Sequence, residues 1–311
     1  MKTEGQFRTA AVAFLECALA RLNAEGFLLE PHWHIDHICL RTSTADTYNR
    51  MNEQLSQFAT LLAETPVNGR MISTFKLGTP LTCQGWEIDL VEVPAPKAGK
   101  QHKDGFEHFE IVSDLSFAEL SQRYASFALK KDGLNKDFNP ELEFFWDSFA
   151  VKFHSMSLES VIRVEENHDV ISKLHRSKVL SLLRGFDPLL VGTFPLNLAG
   201  AGSDVDILID TRGISQLTSL TGMQKDVDTL SATSAYLENC FSHFDHFDLK
   251  NLIVDGRQTL VARFLVDGLP FELFGQPRST VCQEAFKHFL VEERVLKFGG
   301  QKAAHRIASQ N

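Results

Sequence analysis

The chain has 311 residues, of which 43% are hydrophobic and 23% are charged. This length and composition are typical of a globular protein with two domains of about 150 residues each. Its 31 lysines and arginines are outnumbered by 40 aspartates and glutamates, which gives a net charge of −9. That balance excludes a broad binding surface for duplex nucleic acid or an anionic membrane, although a small acceptor molecule remains compatible with it.

The cysteines and the N-terminal segment indicate the compartment. The five cysteines are widely spaced and form no C-x-x-C pair, which argues against a disulfide framework or a zinc ribbon and favours a reducing environment. The apolar run from Thr9 to Leu22 is interrupted by Glu16 and Arg21 and predicts an amphipathic helix. Since no segment reaches about 18 uninterrupted apolar residues, we expect a cytoplasmic protein with no membrane partner.

The first half of the sequence runs twice through a similar order of elements. Its first pass predicts a strand, a helix and two strands over 34–42, 45–64, 71–77 and 86–93. After a loop rich in Pro, Gly and Lys, the second pass predicts a strand, a helix, a strand and a short helix over 106–112, 117–129, 148–154 and 158–164. The first strand of each pass has the pattern apolar, acid, His, apolar, any, apolar, which indicates an internal repeat.

The matched histidines of the two passes, His37 and His108, are candidate metal ligands. Alternation places His37, Cys39 and Arg41 on one face of their strand. Glu92 ends an otherwise apolar strand face, where an unpaired carboxylate would be costly to bury. Two imidazoles and a carboxylate are the parts of a facial two-His, one-carboxylate site. The alternative is that each histidine caps a strand end by hydrogen bonding to backbone.

Several segments of this half resemble a known family. They are Asp36–Arg41, Asn68–Arg70, Val91–Pro94, Glu107–Val112 and Lys152–Glu159. Together they are similar to the YecM family of the vicinal oxygen chelate superfamily, which includes glyoxalases and extradiol dioxygenases. The resemblance covers residues 1–165 and implies a cup of two paired βαβββ units that holds a divalent transition metal, with Ni, Zn, Mn and Fe all possible.

The resemblance also implies which residues hold that metal. The implied ligands are His37 and His108, with Glu92 and Glu159 as carboxylate candidates and Glu110 as a substitute ligand or base. Glu159 has an alternative role, because Ser157 could be the N-cap of a helix that opens here. No settled reaction can be carried over from the family. The expected chemistry is therefore only of isomerase, lyase or oxygenase type, on an unknown small molecule.

A polar stretch near residue 165 predicts the boundary to a second domain over 166–311. This half predicts helices and strands in alternation. The predicted helices are 170–183, 234–243 and 279–298, and the predicted strands are 189–191, 205–209, 246–254, 260–266 and 270–274. We therefore expect a mixed sheet with flanking helices.

An acidic cluster is the candidate site of the second domain. Asp204 and Asp206 point to one face of an apolar strand because they are two residues apart. Like charges so placed repel and raise each other's pKa unless a cation lies between them, and Mg²⁺ is the natural candidate. Glu272 is a third acid, flanked by apolar residues on another predicted strand. The alternative is that these acids are solvated turn and edge residues.

The spacing of these acids resembles the signature of the minimal nucleotidyltransferase superfamily. Ten residues lie between the pair Gly192-Thr193 and Asp204, with Thr193 where serine is usual. The resemblance implies that this turn opens a helix and holds triphosphate oxygens, that Asp204, Asp206 and Glu272 bind two Mg²⁺ ions, and that a nucleotidyl group is transferred to an acceptor. Pro195 suits the first turn of that helix.

A finer resemblance, to an uncharacterised bacterial nucleotidyltransferase-like family, rests on Val191–Leu196, Ser203–Ile207, Phe271–Pro277 and Ala285–Gly300. Arg278 is a candidate phosphate contact because its guanidinium is always charged. The sequence thus predicts a metalloprotein with two activities, one on a small molecule and one on a nucleotide. The alternative is a sensor or scaffold that binds metal and nucleotide without catalysis.

Overall fold

The computed structural model describes residues 3–100, 102–200, 202–215 and 229–308, with side chains described as far as residue 297. The chain forms two compact units, Met1–Leu158 and Glu159–Asn311. None of the helices in the described ranges combines the length and apolarity that a bilayer crossing requires.

The first unit contains two βαβββ modules joined in one sheet. After the helix α1 (Glu4–Glu25), the first module consists of β1 (His34–Arg41), α2 (Ala45–Leu55), β2 (Ala59–Val67), β3 (Arg70–Cys83) and β4 (Trp86–Pro94). The second consists of β5 (Gly105–Val112), α3 (Phe117–Arg123), β6 (Leu129–Lys130), β7 (Leu142–Phe145) and β8 (Ala150–His154). The strand order is β2-β3-β4-β1-β5-β8-β7-β6. The internal repeat is therefore present, and the first strands of the two modules are antiparallel neighbours at the centre of the sheet.

Both predicted helices of these modules are shorter than expected. The helix predicted over 45–64 ends at Leu55, and its second part is instead β2, an edge strand that pairs with β3. The helix predicted over 117–129 ends at Arg123. The ring of Tyr124 is buried and stacks on Phe27 with centroids 3.8 Å apart. Tertiary pairing and packing therefore override the local helical pattern in both places.

The two central strands are buried on both faces. The apolar face of α1 contributes Phe7, Ala11, Leu15, Ala18 and Leu22 to the core. Positions 35–40 of β1 are all buried, and the side of the strand that carries His37 and Cys39 is as inaccessible as the side that carries Ile38. A polar face that is closed to solvent needs internal partners for its charges, and this requirement defines the candidate site.

The second unit is a five-stranded mixed sheet with helices. Its elements are α4 (Leu158–Glu166), α5 (His168–Ser177), α6 (Val179–Leu183), β9 (Leu189–Val191), β10 (Val205–Asp210), α7 (Thr229–Phe241), β11 (Asp245–Val254), β12 (Arg257–Val266), β13 (Leu269–Gln276) and α8 (Glu284–Ala308). The strand order is β11-β12-β13-β10-β9, in which β10 and β13 are parallel. The mixed sheet agrees with the expectation.

Three local predictions for this unit differ from the structure. The helix predicted over 170–183 is split at Lys178, which is left-handed with φ of 56°. The helix predicted from residue 279 begins at Glu284, after a short 3-10 helix. No helix opens at Pro195. Residues 193–197 form a turn, closed by a 2.9 Å hydrogen bond from the Leu198 N–H to the Thr193 carbonyl.

Candidate metal centre

His37 is held in one orientation by its neighbour in sequence. Its Nδ1–H donates to the Asp36 carboxylate over 2.8 Å, and the same carboxylate oxygen accepts the Leu158 N–H over 2.9 Å. The Nε2 atom is buried without a hydrogen-bond partner and lies 3.5 Å from Oε1 of Glu110. A carboxylate behind one ring nitrogen, with the other nitrogen available, is the usual arrangement of a metal-binding histidine.

His108 presents its Nε2 to the same carboxylate. That atom lies 3.2 Å from Oε1 of Glu110 and 3.9 Å from Oε2 of Glu92, and it too is buried without a hydrogen-bond partner. Burial and the nearby ammonium of Lys152 lower the pKa of His108, so its ring is neutral at physiological pH. For His37, burial acts in the same direction, but Glu110 and Asp36 outweigh it and raise its pKa well above the usual value.

Glu110 is the hub of the buried cluster. Its carboxylate accepts a 3.0 Å hydrogen bond from Lys152 Nζ and contacts Nε2 of His154. Burial would raise the pKa of Glu110, but the positive charges of Lys152, His154 and His37 hold it well below the usual value. Glu110 is therefore an ionised carboxylate enclosed by cations and imidazoles.

Lys152 occupies the position that the internal repeat assigns to a carboxylate. In the first module Cys39 pairs with Glu92 across β1 and β4, and in the second Glu110 pairs with Lys152 across β5 and β8. Burial would lower the pKa of Lys152, but Glu110, Glu141 and Glu92 outweigh it and raise that pKa above its usual value. The second module thus supplies the Lys152 ammonium at the position where the first module supplies Glu92.

The described ranges contain three groups of side chains that could hold a metal ion, and within each group the ligand atoms all lie within 4.8 Å of one another. They are Cys39 with Glu92 and His108, His37 with Glu92 and Glu110, and Glu110 with Glu141 and His154. The structure therefore brings His37, Glu92, His108 and Glu110 together, as the sequence predicted, although their roles as ligands remain predictions. Burial and the charge of Glu92 raise the pKa of Cys39 well above its usual value, so its thiol is protonated unless a metal binds it.

Sequence analysis missed three members of the cluster, His154, Glu141 and Lys152. Lys152 and His154 alternate on one face of β8, and this spacing was the available signal. Glu159, a predicted ligand, belongs to none of the three groups. It lies in the first turn of α4, and its carboxylate accepts a 2.8 Å hydrogen bond from Nη2 of Arg163.

Two of the three predicted acids of the second unit lie on adjacent strands, and the third, Asp204, directly precedes β10. Asp206 of β10 is in register with Glu272 of the parallel strand β13. Burial, together with the charges of Asp204 and Glu272, raises the pKa of Asp206 to about 7. Glu272 accepts a 2.6 Å hydrogen bond from Nε of Arg263. The compact groups of three metal-binding side chains in the described residues all lie in the first unit, so these acids do not form a closed ligand set.

The predicted phosphate-binding residues do not lie together. Gly192 and Thr193 follow Val191, which pairs with Asp206, whereas Arg278 lies beyond Gln276, which pairs with Asp210 at the other end of β10. Gly192 follows β9 with φ of 76°, and a Cβ there would lie 2.0 Å from Oδ2 of Asp206. Only glycine leaves room for that carboxylate. Thr193 lies in the turn that follows. Arg278 follows β13, with Nη1 3.9 Å from Oε1 of Glu284.

The first unit is therefore a duplicated βαβββ domain with a buried imidazole and carboxylate cluster at the junction of its modules. The family model described as YecM protein matches residues 8–165, and the chain belongs to the YecM family. Residues 172–310 match a family model described only as a domain of unknown function, DUF4269, and this description does not include nucleotidyl transfer.

Individual relatives match the first unit. Protein YecM of Escherichia coli strain K12 is 30% identical over 148 residues, which span 42% of this chain and 78% of that protein. An uncharacterized protein of Haemophilus influenzae is 31% identical over 104 residues, and the chain spans 54% of its length.

Solved structures also match. The structural genomics structure of Protein EC4020 has a TM-score of 0.44 and 28% identity, over 50% of this chain and 90% of that one. A methylmalonyl-CoA epimerase of Streptomyces coelicolor has a TM-score of 0.31 and 13% identity, over 39% of this chain and 95% of that one.

Proposed function

We propose that the first unit holds a divalent transition metal and uses it on a small-molecule substrate. The ligands would be His37, His108 and Glu92, with Glu110 as a further ligand or as a base. The observation that carries the proposal is that the buried Nε2 atoms of His37 and His108 converge on one oxygen of Glu110 without a well-formed hydrogen bond. Two imidazoles and a carboxylate that converge in this way are a donor set that suits a metal ion.

The donor set suits Ni, Zn, Mn or Fe, since all accept imidazole and carboxylate. When bound, such an ion would supply Lewis-acid chemistry at a carbonyl or enediolate oxygen. Asp36 fixes the ring of His37, and Lys152 keeps the Glu110 carboxylate ionised. An ionised carboxylate next to the ligands can accept a proton from a bound substrate. Isomerase, lyase and oxygenase reactions all remain open.

Elemental analysis of the purified protein tests this proposal. We expect about one equivalent of transition metal per chain, and the His37→Ala/His108→Ala variant should lower metal affinity by at least about tenfold, because it removes both imidazole ligands. The His32→Ala/His168→Ala variant removes two exposed imidazoles and is the matched control. Equal metal content in all three proteins, with circular dichroism unchanged, would refute the centre.

A second candidate function, Mg²⁺-dependent nucleotidyl transfer, is favoured by one observation in the second unit. Asp206 and Glu272 lie in register beside Gly192, whose missing side chain leaves the Asp206 carboxylate open. We propose that Asp204, Asp206 and Glu272 bind Mg²⁺ together with a nucleoside triphosphate held by Gly192 and Thr193, whereas Arg278, at the other end of these strands, is left out of the site. The Arg263 guanidinium would then release Glu272 in exchange for the ion.

Incubation with labelled ATP, CTP, GTP and UTP, Mg²⁺ and pooled small acceptors tests this candidate. We expect transfer of label to an acceptor by the full chain. The Asp204→Ala and Asp206→Ala variants should lose about two orders of magnitude or more of it, since each removes a metal ligand, whereas Asp245→Ala should retain it. Nucleotide binding without transfer would favour the sensor or scaffold alternative. Absence of both binding and transfer would contradict both functions.

A further inference from the structure

Two arginines and a histidine lie at one edge of the first unit's cluster. Arg41 ends β1, Arg70 begins β3, and His102 belongs to the loop before β5. The Arg41 side chain is only 11% exposed and donates from Nε to the Glu107 carboxylate. Its Nη1 atom and the Nε2 atom of His102 are both buried and, among the described residues, have no hydrogen-bond partner.

These side chains adjoin the proposed metal centre. Arg41 lies two residues beyond Cys39, which with Glu92 and His108 forms one of the compact ligand groups. The Glu107 carboxylate that holds Arg41 lies 4.0 Å from Nδ1 of His108. The charge of Glu92 acts on both arginines. A ligand in contact with Arg41 would therefore lie within reach of a metal on His108 and Glu92.

The two arginines repel each other, and the charge of Arg41 also disfavours the protonated form of His102. Burial and then the charge of Arg41 lower the pKa values of both Arg70 and His102. The Glu107 carboxylate offsets part of this repulsion because it accepts a hydrogen bond from Nε of Arg41. The Nη1 atom of Arg41 still has no hydrogen-bond acceptor among the described residues. A buried guanidinium N–H without an acceptor is costly, and a planar fork of N–H groups matches the geometry of carboxylate and phosphate oxygens.

We propose that Arg41 and Arg70, together with His102, bind the oxyanion group of a small anionic ligand, a carboxylate or a phosphate, beside the metal centre. This inference deepens the proposed function, because it assigns an anionic substrate class to the same site. The anion contacts themselves need no metal, so they can be measured separately from it.

The experiment is calorimetric titration of the metal-free full chain with inorganic phosphate and, separately, with acetate. Binding of phosphate alone identifies a phosphate site, and binding of acetate alone identifies a carboxylate site. We expect Arg41→Gln and Arg70→Gln each to lower the affinity for the anion by about tenfold, because each removes a charge-assisted contact. Arg21→Gln changes the net charge equally on an exposed helix face and should leave the affinity unchanged.

Two further comparisons separate folding and metal effects from anion binding. Arg70→Gln leaves the ion pair between Arg41 and Glu107 intact, so it keeps the test valid if Arg41→Gln fails to fold. Wild-type affinity in a folded Arg70→Gln variant, or no binding of either anion to the native chain, would overturn the inference. Because the metal content is determined independently, a chain that binds the anion but no metal would refute the metal centre and leave the anion site standing.

Discussion

Replacement of Lys152 by methionine is expected to lower the free energy of unfolding of the metal-free first unit by about 3 kcal/mol. The ammonium donates a 3.0 Å hydrogen bond to Glu110, whose side chain is only 7% exposed. Removing one partner of a buried ion pair leaves the other charge uncompensated, which typically costs about 3 to 5 kcal/mol. The lower end applies here because Lys152 is 17% exposed and three imidazoles, those of His37, His108 and His154, remain close to Glu110.

Urea unfolding followed by tryptophan fluorescence measures this effect in the first unit, because Trp33, Trp86 and Trp146, the three tryptophans of the chain, all lie there. The matched control is Lys152→Met/Glu110→Gln, in which neither charge remains and most of the loss should be recovered. The same Lys152→Met substitution should tighten metal binding, since it removes a positive charge next to the ligands. A loss below about 0.5 kcal/mol, within the usual range for surface substitutions, would contradict the assigned pair.

Replacement of Asp206 by asparagine is expected to stabilise the second unit by up to about 4 kcal/mol at pH 8 in the presence of EDTA. Burial and the charges of Asp204 and Glu272 raise the pKa of this carboxyl from 3.8 to about 7. Between pH 3.8 and about 7, the Asp206 carboxyl is therefore protonated in the folded state but ionised in the unfolded state. Each pKa unit corresponds to about 1.4 kcal/mol, so ionisation of Asp206 destabilises the fold as pH rises through about 7.

The pH dependence of the stabilisation by Asp206→Asn tests the sign of this prediction. Below pH 3.8, where Asp206 is protonated in both the folded and the unfolded state, the variant should gain nothing from the removed charge. Calorimetry detects the unfolding of both units. The transition of the second unit is the one without a matching change in tryptophan fluorescence, because all three tryptophans lie in the first unit. Asp245→Asn removes an exposed carboxylate from the same sheet and should have little effect at either pH. A stabilisation of equal size below pH 3.8 and at pH 8 would show that the charge of Asp206 is not its cause.

The sequence predicted the strands that carry the candidate ligands because the pattern of apolar and polar residues within each strand is sufficient to identify it. The matched motifs around His37 and His108 identified the repeat, and the two first strands are neighbours in the sheet. Likewise, Asp206 and Glu272 were predicted on two apolar strands, and they are in register on β10 and β13. These features depend on alternation along a strand, which the sequence records directly.

The missed features depend on residues that are distant in sequence. β2 is a strand because it pairs with β3, and α3 ends where Tyr124 stacks on Phe27. Lys152 and His154 join the site only through the parallel pairing of β8 with β5. Glu159 was assigned to the site by resemblance, but its carboxylate pairs with Arg163 within α4.

The antiparallel contact between β1 and β5 brings together the two matched imidazoles, His37 from the first module and His108 from the second. Neither module contains both of these histidines, so the centre requires the two modules together. Glu92 and its counterpart Lys152 carry opposite charges at equivalent positions. One module supplies an anionic donor, whereas the other supplies a fixed cation, so the site is asymmetric in charge although the backbone is repeated.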